Sequence, residues 1–468
     1  MRAEQSSSLP PRGPSFWLLV CVFCLSPLPF ASVGVVWTQL YGVLIGVALI
    51  VFVVGRWQAR RPLPAVPRLL WLAGGLVAGV ACWGAVQAVP GLWPGAQHPL
   101  WAETAALLAL PGLSGALSLD PAQSLLVAGR YLTYLGFGLL VVWHGRHRRH
   151  ALLLLKLFVA VQGLYALYGL VIYYSGLETI LWFDKTSYRE VLTSTFVNRN
   201  SYATYAGLGV LAALALMLRY LRLSLDESRS RQTRLRELIE ALTSKGWLLP
   251  VILLLCFLAV LLSESRMGLT ALLAGLLVLL GSWAARLDAG RARRLGGWLL
   301  LLVLGGLGLN LLLSGDLTGE RILRGLEQED ARFLVYPLVW EAIAERPWSG
   351  YGLGSFASAF TLVRDADVQM VFVRGHSDYL ELIMDVGWPA ALAMFAAFAL
   401  LLVRAWQVSR RRHEYELALL GVAATVQVAV HATVDFSLQM PAVVYAYLLL
   451  ALLGAGWARD HEVEGVRA

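Results

Sequence analysis

Apolar stretches long enough to cross a bilayer, about 17 to 25 residues each, recur from end to end of this chain. The run WLLPVILLLCFLAVLL, residues 247–262, carries no charged side chain. In hydrocarbon a backbone N–H or C=O finds no water, so a run of this kind crosses as a helix whose hydrogen bonds are internal. Composition obeys the same constraint: 58% of residues are hydrophobic and 15% charged, against roughly 25% charged in an ordinary soluble domain. The expected fold class is all-α, a polytopic membrane protein. The runs lie near residues 16–34, 36–55, 69–89, 122–143, 151–174, 201–221, 247–263, 267–285, 298–314, 379–403, 417–435 and 440–457, which gives about twelve transmembrane helices. Residues 1–314 hold the first nine, 315–377 form a large outer loop containing short helices, and 378–468 hold the last three and a tail.

The connections alternate in character. GRWQARRPLPAVPR, HGRHRRH, RLDAGRARRLGG and RAWQVSRRRHEYE are short and arginine-rich. A longer one, residues 219–245, places Leu235, Leu238, Ile239 and Leu242 at helical spacing and reads as an amphipathic helix on the membrane surface. With both termini, these segments hold most of the 38 Lys and Arg residues. The positive-inside rule assigns them to the cytoplasm. Anionic inner-leaflet lipid then accounts for the net charge of +8, and no nucleic-acid partner is needed. The first run follows Arg12 but is interrupted by Pro27 and Pro29, so it reads as a first span rather than a cleaved signal. Cys21, Cys24, Cys82 and Cys256 all sit in apolar segments. The Cys21-x-x-Cys24 pair reads as bland thiols rather than a redox or zinc motif.

Ionisable groups at membrane depth are costly, so each raises a functional question. Arg266, in LLSESRMGLT, has almost no loop around it and must sit at the outer boundary. It reads either as a dedicated anion contact or as a snorkelling side chain paired with Glu264. Arg332 falls in the first turn of a short helix that Asp330 can cap and that Pro347 and Gly350 stop, with Phe333, Pro337, Trp340, Ile343 and Ala344 as its apolar face. A local pair with Asp330 or Glu329 is its alternative. In TSTFVNRNSYATYAGLG, Asn198, Asn200 or Ser201 can each cap the next helix; the surplus, with Arg199, is free to read sugar hydroxyls or phosphate. Arg130 lies inside the fourth span and should face a polar cavity or a partner. His431 and Asp435 are four apart, which places a structural pair on one helix face. Gly350-x-Gly352-x-Gly354 follows no strand and reads as a flexible turn, not a nucleotide loop. Asp365-x-Asp367 reads as a solvated loop.

The stretch RGHSDYLELIMDVGWPAAL, residues 374–392, brings several ionisable groups to a span entrance. With Asp378 as the cap and Glu381 three residues on, the helix begins there and His376 lies just outside it. Asp378, Glu381 and Asp385 share one face, and Asp385 has no assigned task. Pro389 cannot donate an amide to the carbonyl of Asp385, which predicts a kink.

SPLPFASVGVVW, TFVNRNSYATYAGL, SESRMGL, the long loop closed by RGHSDYLELIMDVG, and HATVDFSL with a following proline, taken in this order, resemble the O-antigen ligase and polymerase superfamily. His376-Ser377-Asp378 stands where that family usually reads His-Asn-Asp. The resemblance implies a membrane glycosyltransferase of the GT-C type in the bacterial inner membrane, acting at the periplasmic face with both termini cytoplasmic. It implies a donor glycan on undecaprenyl pyrophosphate, no cofactor and no metal. The acceptor is lipid A–core for a ligase or a second lipid-linked glycan for a polymerase. It further implies that Arg266 and Arg332 bind the donor pyrophosphate and that His376 is catalytic; the reading of the residues themselves adds Asn198, Asn200, Arg130 and Asp378 as secondary candidates. A lipid-linked sugar transporter is the reading from another class. Against it, the ionisable groups gather at one leaflet and not along a midplane path.

Overall fold

The computed structural model describes residues 13–224, 247–287, 334–365, 371–410 and 415–456, with positions 290, 297, 305, 306, 308 and 368. The apolar runs that fall there fold as helices. We number them α1 (Pro14–Leu25), α2 (Val35–Gln58), α3 (Arg68–Gln87), α5 (Pro121–Gly145), α6 (Arg148–Tyr174), α7 (Arg199–Ser224), α8 (Leu248–Leu262), α9 (Arg266–Ala284), α12 (Asp378–Ser409), α13 (Tyr415–His431) and α14 (Pro441–Gly456). Outside these runs lie α4 (Pro99–Leu107), α10 (334–345) and α11 (Phe356–Val363). Among the described residues, α2, α3, α5, α6, α7, α9 and α12 are long and apolar enough to cross a membrane, while α1, α8, α13 and α14 are shorter apolar helices. Most of the run at 298–314 and the amphipathic segment with Leu235, Leu238, Ile239 and Leu242 lie outside the described residues. Among the described residues, strand structure is limited to a hairpin pairing Thr179–Ile180 with Phe183–Asp184.

The first run departs from expectation. It is not one span: α1 has 12 residues, about 18 Å, against a hydrocarbon core of roughly 30 Å. Pro27 and Pro29 each remove an amide, and Phe30, Ala31 and Ser32 take positive φ. The carbonyls left by the two prolines are served locally, Phe23 O by Ser26 Oγ at 3.3 Å and Leu25 O by Leu28 N at 2.8 Å. The buried Ser32 hydroxyl donates within the break to Ser26 O at 2.7 Å and Leu28 O at 2.8 Å. A polar side chain thus closes a break that hydrocarbon would otherwise penalise.

The helices differ in what they face. In the most apolar stretch of α7, 89% of residues are buried, against 22% in α2, so α7 is the central helix and α2 presents its apolar side chains outward. Small residues let neighbours approach α7 closely. A Cβ at Gly207 would fall 2.4 Å from Gln427 Nε2, and that amide donates to Thr204 O at 3.0 Å.

The connection between α9 and α12 carries its own core. Val335, Val339, Ala342 and Ile343 of α10 and Phe356, Ala359 and Phe360 of α11 pack with Val80, Val127, Leu382 and Met384. The buried face of α10 is therefore not the predicted one. Pro337, Trp340 and Ala344 are exposed, Ile343 is buried as expected, and Phe333 lies outside the described residues. FLVYPLVW is apolar on every side, so its pattern could not choose a face. The helix does end at Glu345, before Pro347.

The kink predicted in α12 is present, with Gly387 at φ 75° and ψ 167° beside Pro389. The carbonyl that proline orphans is satisfied from elsewhere. Asp385 O accepts Gly352 N at 2.8 Å and Gln87 Nε2 at 3.0 Å. Trp388 N donates to Pro347 O at 2.8 Å, and Trp83 Nε1 donates to Val386 O at 3.0 Å. The break in α12 is thus the docking point of the long loop.

Candidate active site

The start of α12 differs in detail from the expected cap. Ser377 is the N-cap, its hydroxyl accepting Leu380 N at 3.4 Å. Asp378 is the first helical residue and faces the segment after α13: Leu438 N donates to its Oδ2 at 3.0 Å. Its own amide donates to Ala432 O at 3.0 Å and Asp435 O at 3.1 Å. Serine wins the capping position because Asp378 is already committed across the helices. Glu381 reaches back past the cap instead, accepting Gly375 N at 2.8 Å and Arg374 Nη1 at 3.0 Å.

His376 therefore sits in a short lead-in, as expected, and adopts φ 50°. A left-handed conformation costs a residue with a Cβ roughly 1 kcal/mol or more, so neighbouring contacts must hold it. The Tyr336 hydroxyl donates to His376 O at 2.9 Å. The half-buried ring meets Phe372 and Phe436 edge-on, at 5.9 and 5.1 Å between centroids. Burial alone would lower the pKa of Arg374, but the Glu381 carboxylate, with Asp385 and Asp378 adding, raises it above the usual guanidinium range.

A polar seam joins the other motif segments. Asn198 caps α7, its Oδ1 accepting Asn200 N at 2.7 Å and Ser201 N at 3.3 Å. Asn200 is not surplus. Its Oδ1 accepts from Ser265 Oγ at 2.8 Å and its Nδ2 donates to Asp435 Oδ1 at 3.4 Å. Ser201 Oγ donates to Asp435 Oδ2 at 3.4 Å, and Ser437 Oγ donates to the same oxygen at 2.7 Å. These side chains are buried, so the expected surplus for sugar or phosphate is spent on holding helices together. His431 and Asp435 do not share a helix face either. α13 ends at His431, and Ser437 bridges the two, 3.3 Å from His431 Nδ1. Thr204 Oγ1 also bonds His431 Nδ1.

The cations distribute as follows. Arg266 is exposed in the first turn of α9, directly after the capping Ser265, whose hydroxyl accepts Gly268 N at 3.2 Å. Glu264 lies 3.9 Å from Arg199, whose guanidinium sits over the Tyr188 ring at 5.8 Å. Arg332 lies outside the described residues, as do Glu329, Asp330 and Asp367. Arg130 is half-buried in α5 among Tyr131, Tyr134 and Tyr445, on which its charge bears.

Two residues had no role in the sequence reading. Asp385 Oδ2 accepts Gly354 N at 2.7 Å, and Gln87 Oε1 accepts Leu353 N at 3.1 Å. The turn at 350–354 is therefore pinned, not flexible. Gly350, Gly352 and Gly354 take φ of 65°, 117° and 76°, and a Cβ on Gly350 would fall 2.4 Å from Asp385 O. The repeated glycines were a signal of close backbone approach; nothing local named Asp385 or Gln87 as the partners. Beside Asp378, an apolar cavity of about 570 Å³ opens between α3, α5, α12, α13 and α14, with Trp71, Tyr131, Phe398 and Leu448 among its walls.

The arrangement brings the start of α7, the start of α9, the lead-in to α12 and the turn after α13 to one end of the helices. No curated protein matches the chain. Residues 251–395 match the family model described as O-antigen ligase. That match covers about a third of the chain and supports a likeness to the O-antigen ligase and polymerase superfamily there; the matched region, from α8 into α12, contains Arg266, Arg332 and His376.

Proposed function

We propose that the chain transfers a glycan from undecaprenyl pyrophosphate to a hydroxyl of lipid A–core. The reaction runs at the periplasmic face of the inner membrane on a GT-C-type scaffold, with cytoplasmic termini. The observation that carries the reading is the buried seam, Ser265–Asn200–Asp435 with Asp378 alongside, which ties the family-like segments together with His376 at its edge. The neighbouring apolar cavity suits a substrate with a lipid chain.

The leaving group is a polyprenyl pyrophosphate, so negative charge grows on it as the glycosidic bond breaks. Arg266 stands at a helix N-terminus, whose own partial positive charge favours an anion. With Arg332 it supplies bidentate, charge-assisted hydrogen bonds to that pyrophosphate. Charges already in place when the bond breaks stabilise such a transition state without the reorganisation that solvent requires. His376 takes the proton from the acceptor hydroxyl as that oxygen attacks the anomeric carbon. A single displacement inverts the configuration. Because arginines carry the charge, transfer is expected to proceed without a metal ion.

Purified full-length protein with undecaprenyl-pyrophosphate-linked glycan and lipid A–core tests the reading. One product on lipid A–core, lost in a folded His376→Ala variant and unchanged after chelation, is expected. A ladder of longer lipid-linked glycans would make the protein a polymerase. Movement of the lipid-linked glycan across a vesicle membrane without bond formation would overturn both.

A further inference from the structure

Glu381 is fully buried, at 0% exposure, yet its carboxylate makes no contact with the capping position of its own helix. Its two oxygens go to the two residues before His376: Oε1 to the Arg374 guanidinium and Oε2 to the Gly375 amide. We infer that Glu381 is a positioning residue for His376, setting the direction in which the imidazole is presented by fixing the 374–376 lead-in. The inference rests on the reading of His376 as the base for the acceptor.

Three observations converge on it. His376 holds a positive φ, a conformation uncommon for a residue with a Cβ, so contacts on its flanks help to hold it. The following flank is fixed by the Ser377 cap and by the amide of Asp378 on Ala432 and Asp435. The preceding flank is fixed by Glu381, and the lead-in is seated there: a Cβ at Gly375 would lie 3.1 Å from the Phe356 ring and 3.3 Å from Glu381 Cβ. Finally, a buried ion pair is a poor device for stability alone, since desolvation consumes much of its attraction. It does define geometry, because both carboxylate oxygens have assigned partners on one short segment. Arg374 Nη1 is by the same token engaged by Glu381.

The test is steady-state kinetics of Glu381→Gln and Glu381→Ala in the full-length protein, with undecaprenyl-pyrophosphate-linked glycan as donor. Glutamine keeps one acceptor; whichever way its amide turns, one of the two contacts is lost. Glu381→Gln should lower kcat about threefold to tenfold, with the donor KM within about twofold, since misplacing a reacting group by a fraction of an ångström slows chemistry without weakening remote binding. Glu381→Ala, where it folds, should lower kcat further. Wild-type kcat in a folded Glu381→Gln protein, or a loss confined to KM, overturns the inference. His376→Ala separates the two claims. If it retains transfer, the base reading fails; if it is inactive while Glu381→Gln is wild-type, only the positioning role fails.

Discussion

Asp385 Oδ2 accepts the backbone amide of Gly354 at 2.7 Å, so a carboxylate inside a membrane helix holds a loop 31 residues earlier in the chain. The same residue's carbonyl, orphaned by Pro389, accepts Gly352 N. A helix defect and a loop are thereby made into one joint. The loop hangs on side chain and main chain alike, and one oxygen of the buried acid is spent on it.

Replacing Asp385 should loosen that joint in proportion to what is removed. Asp385→Asn retains an acceptor for Gly354 N and should cost little. Asp385→Ala leaves the amide buried without its partner, a penalty of about 1–3 kcal/mol. Thermal unfolding in detergent should order the proteins wild type, Asn, Ala. Limited proteolysis between residues 346 and 356 should accelerate only in the Ala variant.

Asn200 and Asp435 belong to one network although they come from distant segments, with Ser265 and Ser437 as further members. Hydrogen bonds between membrane helices average about 0.6 kcal/mol and reach roughly 1.7. A double-mutant cycle of Asn200→Ala and Asp435→Ala should return a coupling in that range. Additive losses would mean that the 3.4 Å contact between them contributes nothing of its own.

How legible this was depended on range. Helices were legible because a lipid environment leaves the backbone no other choice, and the Gly387–Pro389 kink followed from a missing amide. Partner choice was not. Ser377 and Asp378 are both good caps, and distant partners decide between them, Leu438 N and Gln439 Nε2 taking the Asp378 carboxylate from 60 and 61 residues away. Asn200 looked available because its partners, Ser265 and Asp435, lie 65 and 235 residues off. The pairing of Glu381 with Arg374 spans 7 residues and was within reach; reading Glu381 as a helix starter concealed it. The α10 face failed for a different reason, since an all-apolar run has no pattern to read.

Arg266 is the described cation on which the proposed chemistry depends most. An ammonium would keep the charge but lose the planar fork that matches phosphate. Arg266→Lys should therefore retain partial activity, and Arg266→Ala should lower kcat by about 10²–10³, the scale of removing one preorganised donor to developing charge. Because Arg266 is exposed, neither change should lower the unfolding temperature appreciably. An Ala variant with wild-type kcat would remove Arg266 from the site.

His98 gives a pH dependence on the loop between α3 and α5. Its Nδ1 accepts Leu100 N at 3.2 Å as the cap of α4, which requires that nitrogen unprotonated. Burial, with the Arg346 charge adding, lowers its pKa below the ordinary 6.5, and the Glu103 and Glu345 carboxylates oppose this. The folded state thus binds the proton less readily than the unfolded chain. The cap's contribution is complete above about pH 6.5 and is lost as pH falls through the depressed folded value. It is worth up to about 1 kcal/mol. Thermal stability of the wild type should decline between neutral and mildly acidic pH more than that of His98→Asn, where a non-titrating amide oxygen caps the same amide. Parallel pH curves for the two proteins would show that His98 does not cap α4 in solution.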